Sequence, residues 1–94
     1  VIKITLRHKN FNNVEAGANW LGKSLNSTFG DSILGPTTPA ISKIRNYYIR
    51  HIIIKISNKQ SLVTTKNNII RIKNTFQAIK DFRSIKFNID VDNY

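Results

Sequence analysis

Hydrophobic spacing along this chain switches from a period of two to a period between three and four and back again, twice, and that rhythm restricts the folds open to it. Residues Val1 to His8 set Ile2, Ile4 and Leu6 on one side and Lys3, Thr5 and Arg7 on the other, as a half-buried strand requires. Val14, Ala18, Leu21, Leu25 and Phe29 then recur at helical spacing, with Asn12 as N-cap, Glu15 three residues on and Gly30 as the stop. Asp31 to Leu34 predicts a short second strand. Gly35-Pro36 and the stretch through Pro39 predict a loop, because proline lacks the ladder donor. From Asn46 to Ile56 a β-branched and aromatic run predicts a third strand, with Tyr48, Ile52, Ile54 and Ile56 on one face and Tyr47, Ile49, His51, Ile53 and Lys55 on the other. Leu62, Thr65, Ile69, Ile72, Phe76 and Ile79 step by threes and fours, the stripe of a second core-facing helix that Ser57 or Asn58 can cap. Ile85, Phe87, Ile89 and Val91 alternate as the last strand.

The resulting order, β-α-β-β-α-β, predicts an α+β ferredoxin-like fold: a four-stranded antiparallel sheet with two helices on one face and the first and third strands central. Ninety-four residues suit a single domain, 1–94. The chain opens on Val1 inside a strand pattern, without initiator Met or leader, and so reads as a piece cut from a longer protein. Its longest unbroken apolar run, Ile52-Ile53-Ile54, is far below the roughly 20 residues of a spanning helix, and no membrane partner is expected.

Fifteen Lys and Arg against five Asp and Glu give a net charge of +10, which points to polyanionic partners. Between Lys43 and Lys86 there are eleven basic residues and one acid, Asp81. An AT-rich coding sequence enriches Ile, Asn and Lys by itself, but it accounts less well for Arg45, Arg50, Arg71 and Arg83. In the predicted fold Lys3, Arg7, His51 and Lys55 line the open sheet face. Lys59, Lys66, Lys73 and Lys80 follow one another at intervals of seven, about 10.5 Å apart along a helix, and predict one positive line.

The densest binding signal runs from Leu34 to Arg50. A loop held by Pro36 and Pro39 delivers Lys43 and Arg45 to the root of a strand bearing Tyr47, Tyr48 and Arg50, with Lys55 further along. Cations neutralise phosphates while rings stack on unpaired bases, so Lys43, Arg45, Tyr47, Tyr48, Arg50 and Lys55 are the candidate DNA-binding residues. Trp20 lies about 120° from the centre of the first helical stripe and is expected either to face a neighbouring domain or to cover the helix edge.

Catalytic signatures are missing. No phosphate-cradling glycine loop, nucleophile elbow or zinc helix motif occurs, and without cysteine there is no disulfide, thiolate metal site or thiol nucleophile. His8 is flanked by Arg7 and Lys9, which disfavour a bound cation, and Asp90 and Asp92 near the terminus read as a solvated edge. Neither catalytic residue, metal nor cofactor is expected in this piece.

The run Gly35-Pro36, Pro39, Ile41, Lys43, Ile44, Arg45, Tyr48 and Lys55, with the terminal Asp90-Val91-Asp92, resembles the C-terminal domain of the PriA family of bacterial replication-restart helicases, also called primosomal protein N′. The resemblance spans nearly the whole chain. It implies an ATP-dependent DNA helicase parent, cytoplasmic, whose ATP, magnesium and zinc sites lie outside this chain. The partners it implies are forked and single-stranded DNA, other primosome proteins and the acidic, hydrophobic C-terminal tail of single-stranded DNA-binding protein. The tail is expected at the start of the second helix, with Lys59 and Lys66 as its cationic partners. Tyr47, Ile49 and Arg50 depart from the family pattern, as does Asn93 where proline usually follows Asp-Val-Asp. The alternative is a stand-alone basic module for RNA or protein with no helicase parent.

Overall fold

A computed structural model describes residues 1–37, 43–55 and 62–91. Along the chain run β1 (Ile2–His8), α1 (Phe11–Phe29), β2 (Ile33–Thr37), β3 (Lys43–Ile44), β4 (Tyr47–Ile54), α2 (Leu62–Ala78) and β5 (Lys86–Val91). The sheet is antiparallel, in the order β2-β4-β1-β5, and the two-residue β3 pairs with the start of β4. It is the expected β-α-β-β-α-β arrangement with β1 and β4 central. β2 and β3 together make one interrupted strand along the same edge of β4.

Alternation explains which side of the sheet is covered. Ile2, Ile4 and Leu6 of β1, Ile52 and Ile54 of β4 and Phe87 of β5 point to the helices. There they meet Val14, Ala18, Leu21 and Leu25 of α1 and Ile69, Ile72 and Phe76 of α2, all buried in one cluster. At the α1–α2 contact Gly17 allows close approach, since a Cβ there would lie 2.7 Å from Ile85 Cδ1 and 3.2 Å from Phe76. Trp20 covers the helix edge within the domain, its ring 5.8 Å from Phe76 and 6.3 Å from Phe82.

Several boundaries differ from the sequence expectation. Helix α1 is capped by Asn10, whose side chain accepts the Asn13 N–H at 3.1 Å. Asn12 therefore lies inside the first turn, and Glu15 is free for another role. Strand β2 does not stop before Gly35-Pro36 but continues through it to Thr37. Leu34 pairs with Ile53 and Thr37 with His51, so Gly35 and Pro36 together stand opposite Ile52 in a β-bulge. The missing proline donor is tolerated because this is an edge strand at a bulge. Gly35 has φ 105° there, and a Cβ would sit 2.9 Å from His51 O.

The two-residue turn Arg45-Asn46, with φ 50° and 70°, joins β3 to β4 as a hairpin, so Asn46 is turn rather than strand. Lys80 has left α2 for a 3-10 turn, Lys80–Phe82, so it does not extend the helical lysine line. The proposed caps Ser57 and Asn58, the strand end Ile56, Lys59, Pro39, Ile41 and Asp92 lie outside the described residues.

Candidate nucleic-acid interface

The face of the sheet turned away from the helices is organised in rows set by strand register. One row runs Lys86, Arg7, Ile49 across β5, β1 and β4; the next runs Asn88, Thr5, His51, Thr37; the third runs Asp90, Lys3, Ile53, Leu34. Positive charge therefore gathers at one end, while at the other Asp90 stands opposite Lys3.

Tyr47 begins β4 at the basic end. Lys86 Nζ lies 4.9 Å and Lys9 Nζ 5.7 Å from its ring centroid. Neither lysine was singled out from sequence, because both reach Tyr47 only through pairing of strands far apart in the chain. Ile49, 6% exposed, is buried on this open side, outside the main core cluster. Arg7 Nε is buried and makes no hydrogen bond, and among the described residues no carboxylate pairs with Arg7, Lys9 or Lys86. Burial and, secondarily, the charge of Lys3 hold the His51 imidazole below its usual pKa.

Tyr48 and Arg50 lie on the opposite, helix-facing side. Register places Tyr48 across from His8 and Arg50 across from Leu6. The Arg50 side chain is 8% exposed: its Nε donates to Glu15 Oε1, and its Nη1 donates to the Ile49 carbonyl at 2.7 Å. Its guanidinium also lies 5.4 Å from the Phe11 centroid. Phe11 meets Tyr48 edge to face at 5.5 Å, and Lys43 Nζ covers the Tyr48 ring at 4.9 Å. Arg50, expected to contact DNA, is thus engaged in joining the first turn of α1 to β4.

The remaining residues fall in three places. Arg45 is exposed in the hairpin turn beside Tyr47. Lys55 is exposed at the far end of β4, eight residues from Tyr47 or roughly 26 Å along an extended strand, so the two are not brought together. Its backbone N–H donates to Ser32 O at 2.8 Å. Lys66 is exposed on α2 and borders an apolar pocket lined by Ile2, Ile69, Ile70, Ile89 and Val91, between α2 and β5.

His8 and His51 occupy opposite sides of the sheet and do not converge. His8 Nδ1 accepts the Asn10 N–H at 2.9 Å, so the neutral ring carries its proton on Nε2, which faces Ser84 Oγ at 2.8 Å. Among the described residues no group of three His, Asp or Glu side chains is arranged to hold a metal, and no helix is long and apolar enough to cross a membrane.

Comparison with protein-family models and with curated proteins finds no match. Among solved structures the chain is similar to the de novo designed protein Foldit4, at TM-score 0.70 and 14% identity, with 99% of this chain and 94% of that chain covered. At that identity the likeness speaks to the fold alone.

Proposed function

We propose that this chain is a nucleic-acid-binding and protein-docking domain, the C-terminal domain of a replication-restart DNA helicase, which helps to recognise abandoned forks. The observation that carries the nucleic-acid reading is the basic end of the open sheet face, where Tyr47 stands among Lys9, Lys86 and Arg7 with no carboxylate to neutralise them among the described residues. Cations there neutralise phosphates and the ring offers a stacking surface. Arg45, exposed in the turn before Tyr47, borders the same end and extends the positive field, whereas Lys43 lies over Tyr48 on the helix-facing side. The helicase parent rests on the sequence resemblance. ATP hydrolysis, with its magnesium, and the structural zinc belong to that parent, and this domain contributes binding rather than catalysis.

Docking of an acidic, apolar protein tail is supported by a separate observation, the apolar pocket bordered by Lys66. An ammonium at the rim of an apolar pocket suits a peptide that ends in a carboxylate.

Anisotropy titrations with forked, single-stranded and duplex DNA at several salt concentrations test the first reading. Binding is expected to tolerate changes of sequence and to fall steeply with salt, with each removed cation lowering the logarithmic slope by roughly 0.7 on single strands or 0.9 on duplex. Salt-independent binding, or none, contradicts it. Tighter binding of RNA than of any DNA favours the stand-alone module.

A further inference from the structure

Tyr47 and its cations are arranged for more than general attraction to a polyanion. Arg7 and Lys86 are direct cross-strand partners, and Lys9 follows β1 on the side of Tyr47. Like charges directly opposite one another on a sheet repel, and here no side-chain carboxylate among the described residues relieves them. Arg7 Nε is buried without an acceptor, a donor left unsatisfied in the free protein. An anion with several oxygens at this point would screen the repulsion between Arg7 and Lys86. A phosphodiester supplies that, and the planar guanidinium suits it. The two ammonium groups beside the Tyr47 ring are held there by cation–π attraction, which at a partly exposed site is weak beside a charge-assisted bond to phosphate.

We propose that Arg7, Lys9, Lys86 and Tyr47 form a subsite for an unpaired nucleobase and its adjoining phosphate, in which the two lysines turn from the ring to the phosphate and leave the ring for the base. This rests on the nucleic-acid reading and narrows it to a single-stranded segment. A duplex keeps its internal base faces covered and cannot use the ring. The next row of the sheet is Asn88, Thr5 and His51, and the row beyond sets Asp90 against Lys3, so the cationic stretch extends over about one nucleotide step rather than along a groove.

The test is a set of anisotropy titrations of the 94-residue chain. The probes are a thymidine oligomer, a uridine oligomer of the same length, and an abasic oligomer with the same number of phosphates. Base-containing strands are expected to bind at least about fivefold more tightly than the abasic strand. Tyr47→Ala and Tyr47→Leu, the second retaining apolar cover without a ring, are expected to erase that difference and leave the salt slope unchanged. Arg7→Gln and Lys86→Gln are expected to weaken all three strands and to lower the slope by about 0.7 each. A preference between the thymidine and uridine strands identifies DNA or RNA as the source of the same base-and-phosphate unit. Equal binding of abasic and base-containing strands, with Tyr47→Leu unchanged, overturns the subsite while leaving nucleic-acid binding intact. If none of the three strands binds, both fall.

Discussion

Arg50 shows how a single cation divides between fold and function. Its position in β4, opposite Leu6, sends it inward, and a buried guanidinium requires partners, which Glu15 and the Ile49 carbonyl provide. Removing the carboxylate should leave that charge short of a partner. Because Glu15 itself is 38% exposed, the expected cost of Glu15→Ala is about 1–3 kcal/mol, measurable by urea unfolding. Arg50→Met, which keeps the stem and drops the charge, should restore part of that loss in the double variant, with the salt slope of DNA binding unchanged. A reduced slope in Arg50→Met would return Arg50 to the binding surface. His51 yields a pH prediction. Its pKa is lowered in the folded state, so the unfolded chain takes up the proton first as pH falls. Stability is therefore unaffected well above the ordinary histidine range and declines as pH drops through it, until the folded form protonates too. His51→Gln should flatten that decline between about pH 7.5 and pH 5.5. An identical pH dependence in the two proteins would show that the ring is not disfavoured in its charged form.

At the scale of elements, the features legible in the sequence were those with a local cause. The stripe of α2 and the alternation of β1 and β5 follow directly from spacing: Ile69, Ile72, Phe76, Ile2, Ile4, Leu6 and Phe87 are buried, and Ile89 and Val91 are half-buried. What was not legible depended on partners far along the chain. Arg50 interrupts the inward apolar set of β4, and its partner Glu15 is 35 residues away. Lys9 and Lys86 reach Tyr47 across a sheet that spacing alone cannot register. The continuation of β2 through Gly35-Pro36 was hidden for another reason: proline reads as a ladder breaker, yet an edge strand with a bulge accommodates it. The Arg45-Asn46 turn gave only half its signal, since Asn favours positive φ and Arg does not. The bulge can be tested. Gly35→Ala places a methyl group 2.9 Å from the His51 carbonyl at a φ that L residues seldom adopt, and should cost about 1–3 kcal/mol. The loss should appear in unfolding midpoints, with DNA affinity per folded molecule retained, because the bulge lies away from Tyr47. Unchanged stability would mean that β2 is not held as described.

For the molecule as a whole, one side of the sheet makes the core and the other sets Arg7, Lys9 and Lys86 at one end, opposite Asp90 and Lys3 at the far end. The fold and its central strands could be derived from the pattern of apolar residues, and the positive character from composition. The division of the neighbouring tyrosines between two surfaces shapes the site: Tyr48 is tied to Phe11 and Lys43 on the helix side, whereas Tyr47 stands on the open side among Lys9 and Lys86. Lys66 and its apolar pocket lie between α2 and β5, so the proposed peptide-docking site is separate from the proposed nucleic-acid site on the open face. An acidic peptide at that pocket should compete poorly with DNA, and Lys66→Glu should weaken the peptide while sparing the oligonucleotide. The most direct measurement of the central claim is residue-resolved: backbone amide chemical shifts of the isotopically labelled chain, followed through titration with a short single-stranded oligonucleotide. The account predicts saturating shifts at Arg7, Lys9, Tyr47 and Lys86, with Lys66 and the rest of α2 little changed. Shifts gathered on α2, or none at the open face as the oligonucleotide binds, would contradict it.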